Sequence, residues 1–247
     1  MQAVVNEQLV RTRIRIASAC HIAALAVFAV GLFYSWNWGP SDFEQIVASY
    51  VAIIIGLILY QVGQVFLRRW GPRSRADALL IRTLKGLDNR HTLVAFAAAK
   101  LPDYVVVGPA GVRVIVPRSQ DGEVTCQADR WSHSKGQGLG RFLALFGGNP
   151  IGNPTADATD GVRKIKSKLE SAGLTEADYL DVRGIVVFSS PAVRLRIEGA
   201  SQTVTRLKQL RGALSGGAPS GGANRASSGK SGLNAKSVQR IVDALRS

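Results

Sequence analysis

Two long apolar stretches near the N-terminus constrain the fold of this chain more than any other feature. The first covers residues 16–36 and the second covers residues 46–67, and neither contains Asp, Glu, Lys or Arg. Each has about the 20 residues that a helix needs to cross the hydrocarbon core of a bilayer. Tryptophans flank both stretches, as is typical of membrane interfaces. The sequence therefore predicts a membrane α-helical hairpin over residues 1–70.

A cleaved signal peptide is the alternative interpretation of the first stretch, because the basic segment RTRIR precedes it and IASAC resembles a cleavage box. A cleavable signal carries its apolar core ahead of the cut. Here the apolar residues continue beyond Cys20 to Trp36, and a second apolar stretch follows. We therefore expect two retained helices, followed by a soluble domain over residues 71–247.

The charges beside the two stretches indicate an orientation. Three arginines precede the first stretch, and Arg68 and Arg69 follow the second, whereas the connecting segment contains Asp42 and Glu44 and no base. Positively charged flanks stay in the cytoplasm. We expect a protein of the cytoplasmic (inner) membrane, embedded in the lipid bilayer by two spans, with both termini in the cytoplasm.

Small residues recur along the second stretch. Ala52 and Gly56 are four residues apart, and Gly63 follows two turns later. Such a face allows close packing against the first helix or against a second copy of the chain, which would give a homo-oligomer. Small residues are also common in membrane helices without this role, so all three interpretations stay open.

The net charge of +14 lies entirely in the second part of the chain. Residues 1–67 contain three arginines and three acids, whereas residues 68–247 contain 28 basic and 14 acidic side chains. A basic domain indicates an anionic partner, either DNA or RNA or an acidic lipid surface. Composition alone does not decide between these partners.

The soluble part alternates between helical and strand-like patterns of apolar residues. Helices are predicted at residues 76–87, 142–146, 158–172, 204–214 and 234–246. Strands of an antiparallel meander are predicted at residues 92–98, 103–107, 111–116 and 123–128. Further strands are predicted at 184–189, buried and paired in parallel, and at 193–197. Residues 215–232 are rich in Gly and Ser and predict a flexible loop.

Several segments of the soluble part occur in an order that resembles a known domain. They are LKGLDNRHTLV, then LPDYVVVGPAGVRVIV, the DGEV hairpin, Arg130-Trp131, Asn149-Pro150 and GIVVFSSP. Together they resemble the NERD (nuclease-related) domain, a relative of the PD-(D/E)xK restriction endonucleases. The resemblance covers most of residues 75–247. It implies an α/β domain with a mixed sheet flanked by helices, in a restriction-endonuclease-like fold.

The resemblance also implies a magnesium-dependent phosphodiesterase centre. Such a centre uses acids to hold a hard cation through oxygen, and the cation activates water for attack on a phosphate. Asp103 matches the first carboxylate, and Asp77 on the first helix matches a further helical acid. These two residues are the candidate magnesium ligands, if the chain binds a cofactor at all. Each also has an ordinary structural interpretation, as a strand-end or first-turn acid.

The chain departs from the family's pattern at two positions of this centre. Val116 stands in the place of the second acid, and Arg118 stands in the place of the lysine. A valine cannot bind a cation, and an arginine does not act as a base at neutral pH. The catalytic positions Asp103, Arg118 and Asp77 are therefore expected to be vestigial.

Cations near these positions are candidate contacts to nucleic acid. Four of them follow one another on the helix predicted at residues 158–172, where a solvated helix face is the alternative interpretation. Trp131 beside them is interpreted as a core residue rather than a stacking platform. The candidates are Arg118, Arg130, Arg163, Lys164, Lys166 and Lys168.

Three hypotheses for the function follow. In the first, a membrane-anchored NERD-like protein with a degraded nuclease centre acts as a binding or scaffolding module, with nucleic acid as a candidate partner and no cofactor. In the second, the chain is an active magnesium-dependent nuclease that uses Asp103. In the third, the basic domain meets anionic lipid and binds no nucleic acid.

Overall fold

A computed structural model describes residues 1–37, 43–72, 75–134, 151–214 and 232–246. The chain divides into a hairpin unit, Glu7–Arg75, and an α/β unit formed by Met1–Asn6 together with Ala76–Ser247. The helix predicted at 142–146, the Asn149-Pro150 pair and residues 215–231 of the predicted loop lie outside the described residues.

The hairpin unit consists of two long helices, α1 (Glu7–Asn37) and α2 (Phe43–Trp70). Both are long and apolar enough to cross a membrane. Only 11% of each apolar window is buried, so most of its apolar surface is exposed, unlike that of a helix in a soluble core. The prediction of two helices that could span a bilayer is therefore confirmed in their length and apolar composition.

The small residues of α2 pack against α1. A Cβ atom at Gly63 would lie 2.6 Å from Cε1 of His21, and one at Gly56 would overlap the ring of Phe28. Ala52 also lies against α1. Close packing of these residues on the first helix is therefore found, and packing against a second copy stays a prediction.

The α/β unit contains two sheets. The larger sheet has the strand order β1-β2-β3-β4-β7-β9, with β1 (Gln2–Val5), β2 (Thr92–Ala95), β3 (Tyr104–Gly108), β4 (Gly111–Arg118), β7 (Val182–Phe188) and β9 (Thr203–Arg206). The smaller has the order β6-β5-β8, with β5 (Gly122–Gln127), β6 (Arg130–Ser134) and β8 (Val193–Glu198). The larger sheet is mixed: β2, β3 and β4 are antiparallel, whereas β1-β2, β4-β7 and β7-β9 are parallel.

Helices flank the larger sheet. They are α3 (Asp77–Leu84), α4 (Pro154–Ser171), α5 (Glu176–Tyr179), α6 (Leu210–Leu214) and α7 (Ala235–Arg246). Val105 and Val114 of the sheet are fully buried against Ile165 of α4 and Ile241 of α7. Helices α4 and α7 therefore cover one face with the apolar residues that their spacing predicted.

Three elements differ from the sequence-based expectation. β5 does not continue the meander, because it pairs with β6 and β8 in a separate sheet. The helix predicted at 204–214 is a strand through Arg206, a 3-10 turn and then α6, since the β-branched run Thr203–Thr205 favours a strand beside β7. β1 was not predicted. It adds residues 2–5 to the larger sheet of the α/β unit. The sequence-based boundary at residue 71 assigns these residues to the hairpin.

Candidate functional site

The predicted catalytic positions lie at the adjoining ends of β3 and β4. Tyr104 pairs with Ile115, and the same antiparallel register continued by one residue places Asp103 opposite Val116. The carbonyl oxygen of Asp103 accepts a hydrogen bond of 2.7 Å from the backbone nitrogen of Phe96. Residues directly opposite each other on antiparallel strands share one face of the sheet. Positions 103 and 116 are therefore adjacent on one face of the larger sheet.

Val116 is part of the packing between two apolar clusters. It is half-buried and contacts both the cluster of Val114 beneath α4 and the cluster that contains Val186 and Phe188. On the other side it pairs in register with Val186 of β7. The position is therefore filled by hydrocarbon, which offers no oxygen to a cation.

Arg118 forms an ion pair with Asp157 in the first half of α4. The side chain of Arg118 is 21% exposed and that of Asp157 is 58% exposed, so the pair lies at the edge of the fold. The carbonyl oxygen of Arg118 accepts hydrogen bonds from Ser189, 2.8 Å from its nitrogen and 3.1 Å from its Oγ. Both ends of Arg118 thus have structural partners, and Asp157 is a partner that sequence reasoning missed.

Asp77 begins α3 and is buried. The preceding residue, Ala76, donates a backbone hydrogen bond of 2.8 Å to Oη of Tyr104. Because side chains alternate along a strand, Tyr104 lies on the opposite face of β3 from Val105, which packs beneath α4 and α7. The start of α3 therefore approaches the other face of the sheet.

Within the described ranges, no group of three or more His, Cys, Asp or Glu side chains could hold a metal ion. The assignment of Asp103 and Asp77 as magnesium ligands stays a prediction from the resemblance. Asp103 lies beside Val116 at the adjoining ends of β3 and β4. Asp77 is the first residue of α3, the helix whose start approaches the other face of the sheet.

The cations predicted on α4 are largely engaged with carboxylates. Arg163 forms an ion pair with Asp160, and Nζ of Lys164 lies 2.6 Å from Oδ2 of the same residue. Hydrogen bonds from Lys164 and Arg163 lower the pKa of the Asp160 carboxyl, so it stays ionised. Lys166 lies 3.6 Å from Glu176. Three of the four candidate cations on α4 thus lie within ion-pair distance of a carboxylate.

The two remaining candidate cations lie apart from these pairs. Lys168 is in the last turn of α4, at the opposite end from Asp157. Arg130 begins β6 and is exposed on the smaller sheet. The six predicted nucleic-acid contacts are therefore spread over β4, β6 and the length of α4.

Trp131 has a structural role. Its ring packs against Phe188 with centroids 6.0 Å apart, and its Nε1 donates to Oγ1 of Thr155 at 3.1 Å. Thr155 in turn donates to Oδ1 of Asn153, which caps α4 by accepting from the nitrogen of Ala156. These contacts agree with the interpretation of Trp131 as a core residue.

A cleft of about 350 Å³ lies beside the N-terminal half of α4, and sequence reasoning did not find it. Oδ1 of Asp129 accepts from the nitrogen of Ser201 at 2.9 Å. Burial raises the pKa of Asp129, but hydrogen bonding with Ser201 outweighs this effect and holds the pKa below its usual value. The residues that line the cleft come from separate parts of the chain, so no sequence motif marks the cleft. They include Asp129, Asn153, Thr155, Thr159, Asp160 and Ser201.

Comparison with known proteins gives no match for this chain, whether with family models, curated proteins or solved structures. The geometry of the chain's own residues is therefore the basis for a function.

Proposed function

We propose that this chain is a membrane-anchored protein whose α/β unit keeps the frame of a NERD-like nuclease domain without its metal centre. Its role is to bind or scaffold a partner at the membrane surface, with nucleic acid as the preferred partner. The observation that carries this proposal is the pair of positions opposite each other at the ends of β3 and β4. Asp103 is retained there, whereas Val116 is half-buried and packs against two apolar clusters.

The ion pair of Arg118 also counts against catalysis at this place. In the family's chemistry, a lysine at this place stabilises charge that develops on the phosphate. Arg118 is instead held by Asp157, and its carbonyl oxygen is held by Ser189. A guanidinium that already has a carboxylate partner contributes less to a bound phosphate.

The connectivity of the chain supports the proposed orientation. β1 precedes α1, and α3 follows α2, yet β1 and α3 both belong to the α/β unit. Two membrane spans between them return the chain to the side from which it left. The basic flanks of the hairpin favour the cytoplasmic side. Both termini and the α/β unit would then lie in the cytoplasm, at the inner membrane.

The charge of the chain supports an anionic partner. All of the net +14 lies beyond residue 67, and Arg130 on the smaller sheet is exposed. Counterion release makes electrostatic binding of nucleic acid fall steeply as salt rises. Salt dependence is therefore the signature of this interaction.

The test uses the full chain in detergent micelles with labelled single- and double-stranded DNA and RNA, with and without Mg²⁺. We expect binding that weakens at least tenfold between about 50 and 200 mM salt, and no metal-dependent cleavage. Asp103→Asn is the matched control, because it removes the retained carboxylate and keeps its shape.

Each other outcome favours a named alternative. Mg²⁺-dependent cleavage that Asp103→Asn abolishes would make the chain an active nuclease, with a further metal ligand to be found. Absence of binding at low salt would contradict the nucleic-acid part of the proposal. Binding to anionic vesicles that nucleic acid does not compete away would favour the lipid-surface hypothesis.

A further inference from the structure

One end of the hairpin carries exposed arginines on both helices. Arg11 and Arg15 are four residues apart on α1, which places them on one face of the helix, and both are exposed. Arg68 and Arg69 near the end of α2 are exposed as well. These four arginines are called the basal arginines below.

The packing of the two helices brings the basal arginines to one level. His21 lies against Gly63 in an antiparallel arrangement, and the same register continued by six residues places Arg15 level with Arg69. Ile16 and Leu67, the adjoining ends of the two apolar stretches, mark the same boundary. The basal arginines therefore form a band where the apolar surface ends.

The acids near this band do not neutralise it. Glu7 is the one acid within residues 7–15 and 66–75, and its Oε1 lies 3.2 Å from the guanidinium of Arg75. In the part of the chain that the structure describes, Arg11, Arg15 and Arg68 have no carboxylate partner. Their positive charge is available to an anion from outside the chain.

The surroundings of the band identify the kind of anion. Ile16 is 36% exposed and Val65 is 66% exposed, so apolar side chains adjoin the arginines on the side of the proposed membrane. Guanidinium groups bind phosphate oxygens through paired hydrogen bonds. A molecule that has a phosphate beside a hydrocarbon chain matches both features.

We propose that the basal arginines bind the headgroup phosphate of an anionic phospholipid, whose acyl chains lie along the exposed apolar faces of α1 and α2. The inference rests on the proposed membrane anchoring, and it names the lipid class that the anchor selects. It differs from the lipid-surface hypothesis for the α/β unit, because the site lies wholly within the hairpin unit.

The test measures lipid retention on the full chain by native mass spectrometry in a mild non-ionic detergent. Equal amounts of phosphatidylglycerol and phosphatidylcholine are offered, and we expect a preference for phosphatidylglycerol on the order of tenfold. The variant Arg11→Gln/Arg15→Gln/Arg68→Gln should lose most of this preference. Glutamine is chosen because it removes the charge, stays polar and has a similar helix propensity.

The matched control removes three exposed cations from the α/β unit. Arg194→Gln/Arg206→Gln/Lys208→Gln changes the net charge equally, and these side chains are exposed. It should retain the preference of the unmodified chain. An equal loss in both variants, or no preference in the unmodified chain, would overturn the proposal.

Carbonate extraction, combined with the lipid preference, separates this inference from the membrane anchoring on which it rests. Extraction of the unmodified chain from membranes by alkaline carbonate would contradict the anchoring itself. A chain that resists carbonate but shows no preference for phosphatidylglycerol would contradict the inference alone. Circular dichroism of both variants confirms that their helices form, so a loss of preference reports on lipid binding.

Discussion

Arg118 at the end of β4 forms an ion pair with Asp157 on α4, a residue 39 positions further along the chain. Through this pair, Arg118 joins the end of β4 to the first half of α4. The contact gives Arg118 a role in the fold that does not depend on catalysis.

Substitution of either partner of this pair should have a small effect on stability. Because Asp157 is more than half exposed, solvent screens the interaction, and a double-mutant cycle with Arg118→Gln and Asp157→Asn should give a coupling of about 0.5–1 kcal/mol. Thermal unfolding of the full chain in detergent, followed by tryptophan fluorescence, measures it. A coupling near zero would mean that the pair contributes nothing in solution.

A carboxylate introduced at position 116 tests the nuclease-like frame directly. Val116→Glu should destabilise the α/β unit by about 1–3 kcal/mol without metal, because it places a charge between two apolar clusters. Mg²⁺ should recover part of this loss, since Asp103 lies opposite.

The controls for that experiment are Val116→Gln and Val116→Glu combined with Asp103→Asn. Neither should respond to Mg²⁺, because each lacks one of the two carboxylates. If the melting temperature of Val116→Glu is the same with and without Mg²⁺, the strand ends are not the frame of a metal site.

The edge strand β1 offers a comparison of two neighbouring residues. The backbone nitrogens of Gln2 and Asn6 donate to the carbonyl oxygens of His91 and Ala95 at 3.0 and 3.1 Å. The nitrogen of Val4, midway between them, therefore faces β2 as well, whereas that of Ala3 faces away. Val4→Pro removes a ladder hydrogen bond and should cost about 1–3 kcal/mol. Ala3→Pro should cost distinctly less. Equal effects in thermal unfolding would contradict this register.

Close packing of the hairpin predicts a specific rescue. Gly56→Ala places a methyl group against the ring of Phe28, which should destabilise the helix pair by about 1–3 kcal/mol. Phe28→Ala combined with Gly56→Ala should be less destabilised than the two single effects together predict. Unfolding in detergent by increasing fractions of a denaturing surfactant gives the comparison, and strict additivity would show that the two residues are not in contact.

Buried His91 should make stability depend on pH. Burial lowers the pKa of His91 below its ordinary value of 6.5, and hydrogen bonding to Asp88 offsets this only in part. The unfolded state then binds more protons just below pH 6.5, so this contribution is present above that pH and is lost as pH falls towards the folded pKa. His91→Asn should flatten the melting temperature between pH 7.5 and 5.5, and an unchanged slope would assign it to another group.

Local patterns in the sequence predicted much of the fold. Apolar length predicted α1 and α2, and helical spacing predicted the buried face of α7, where Ile241 and Leu245 are almost fully buried. The run from Asp103 to Val116 predicted two strands around a turn, and the structure has β3 and β4 there. Each of these patterns lies within a few consecutive helical turns or strand residues. Over that length, backbone geometry fixes the spacing at which apolar side chains share one face.

Only the tertiary structure decided which distant segments meet. It placed β1 beside β2, paired β5 in a second sheet and joined Arg118 to Asp157. It also brought Asp129 to Ser201, 72 residues away, in the cleft beside α4. Strand pairing and ion pairs between remote residues depend on the packing of the whole domain, which no short sequence window contains. The sequence by itself therefore determined the hairpin and the local elements, whereas the partners of Asp103, Val116 and Arg118 were decided by the way the strands and α4 pack.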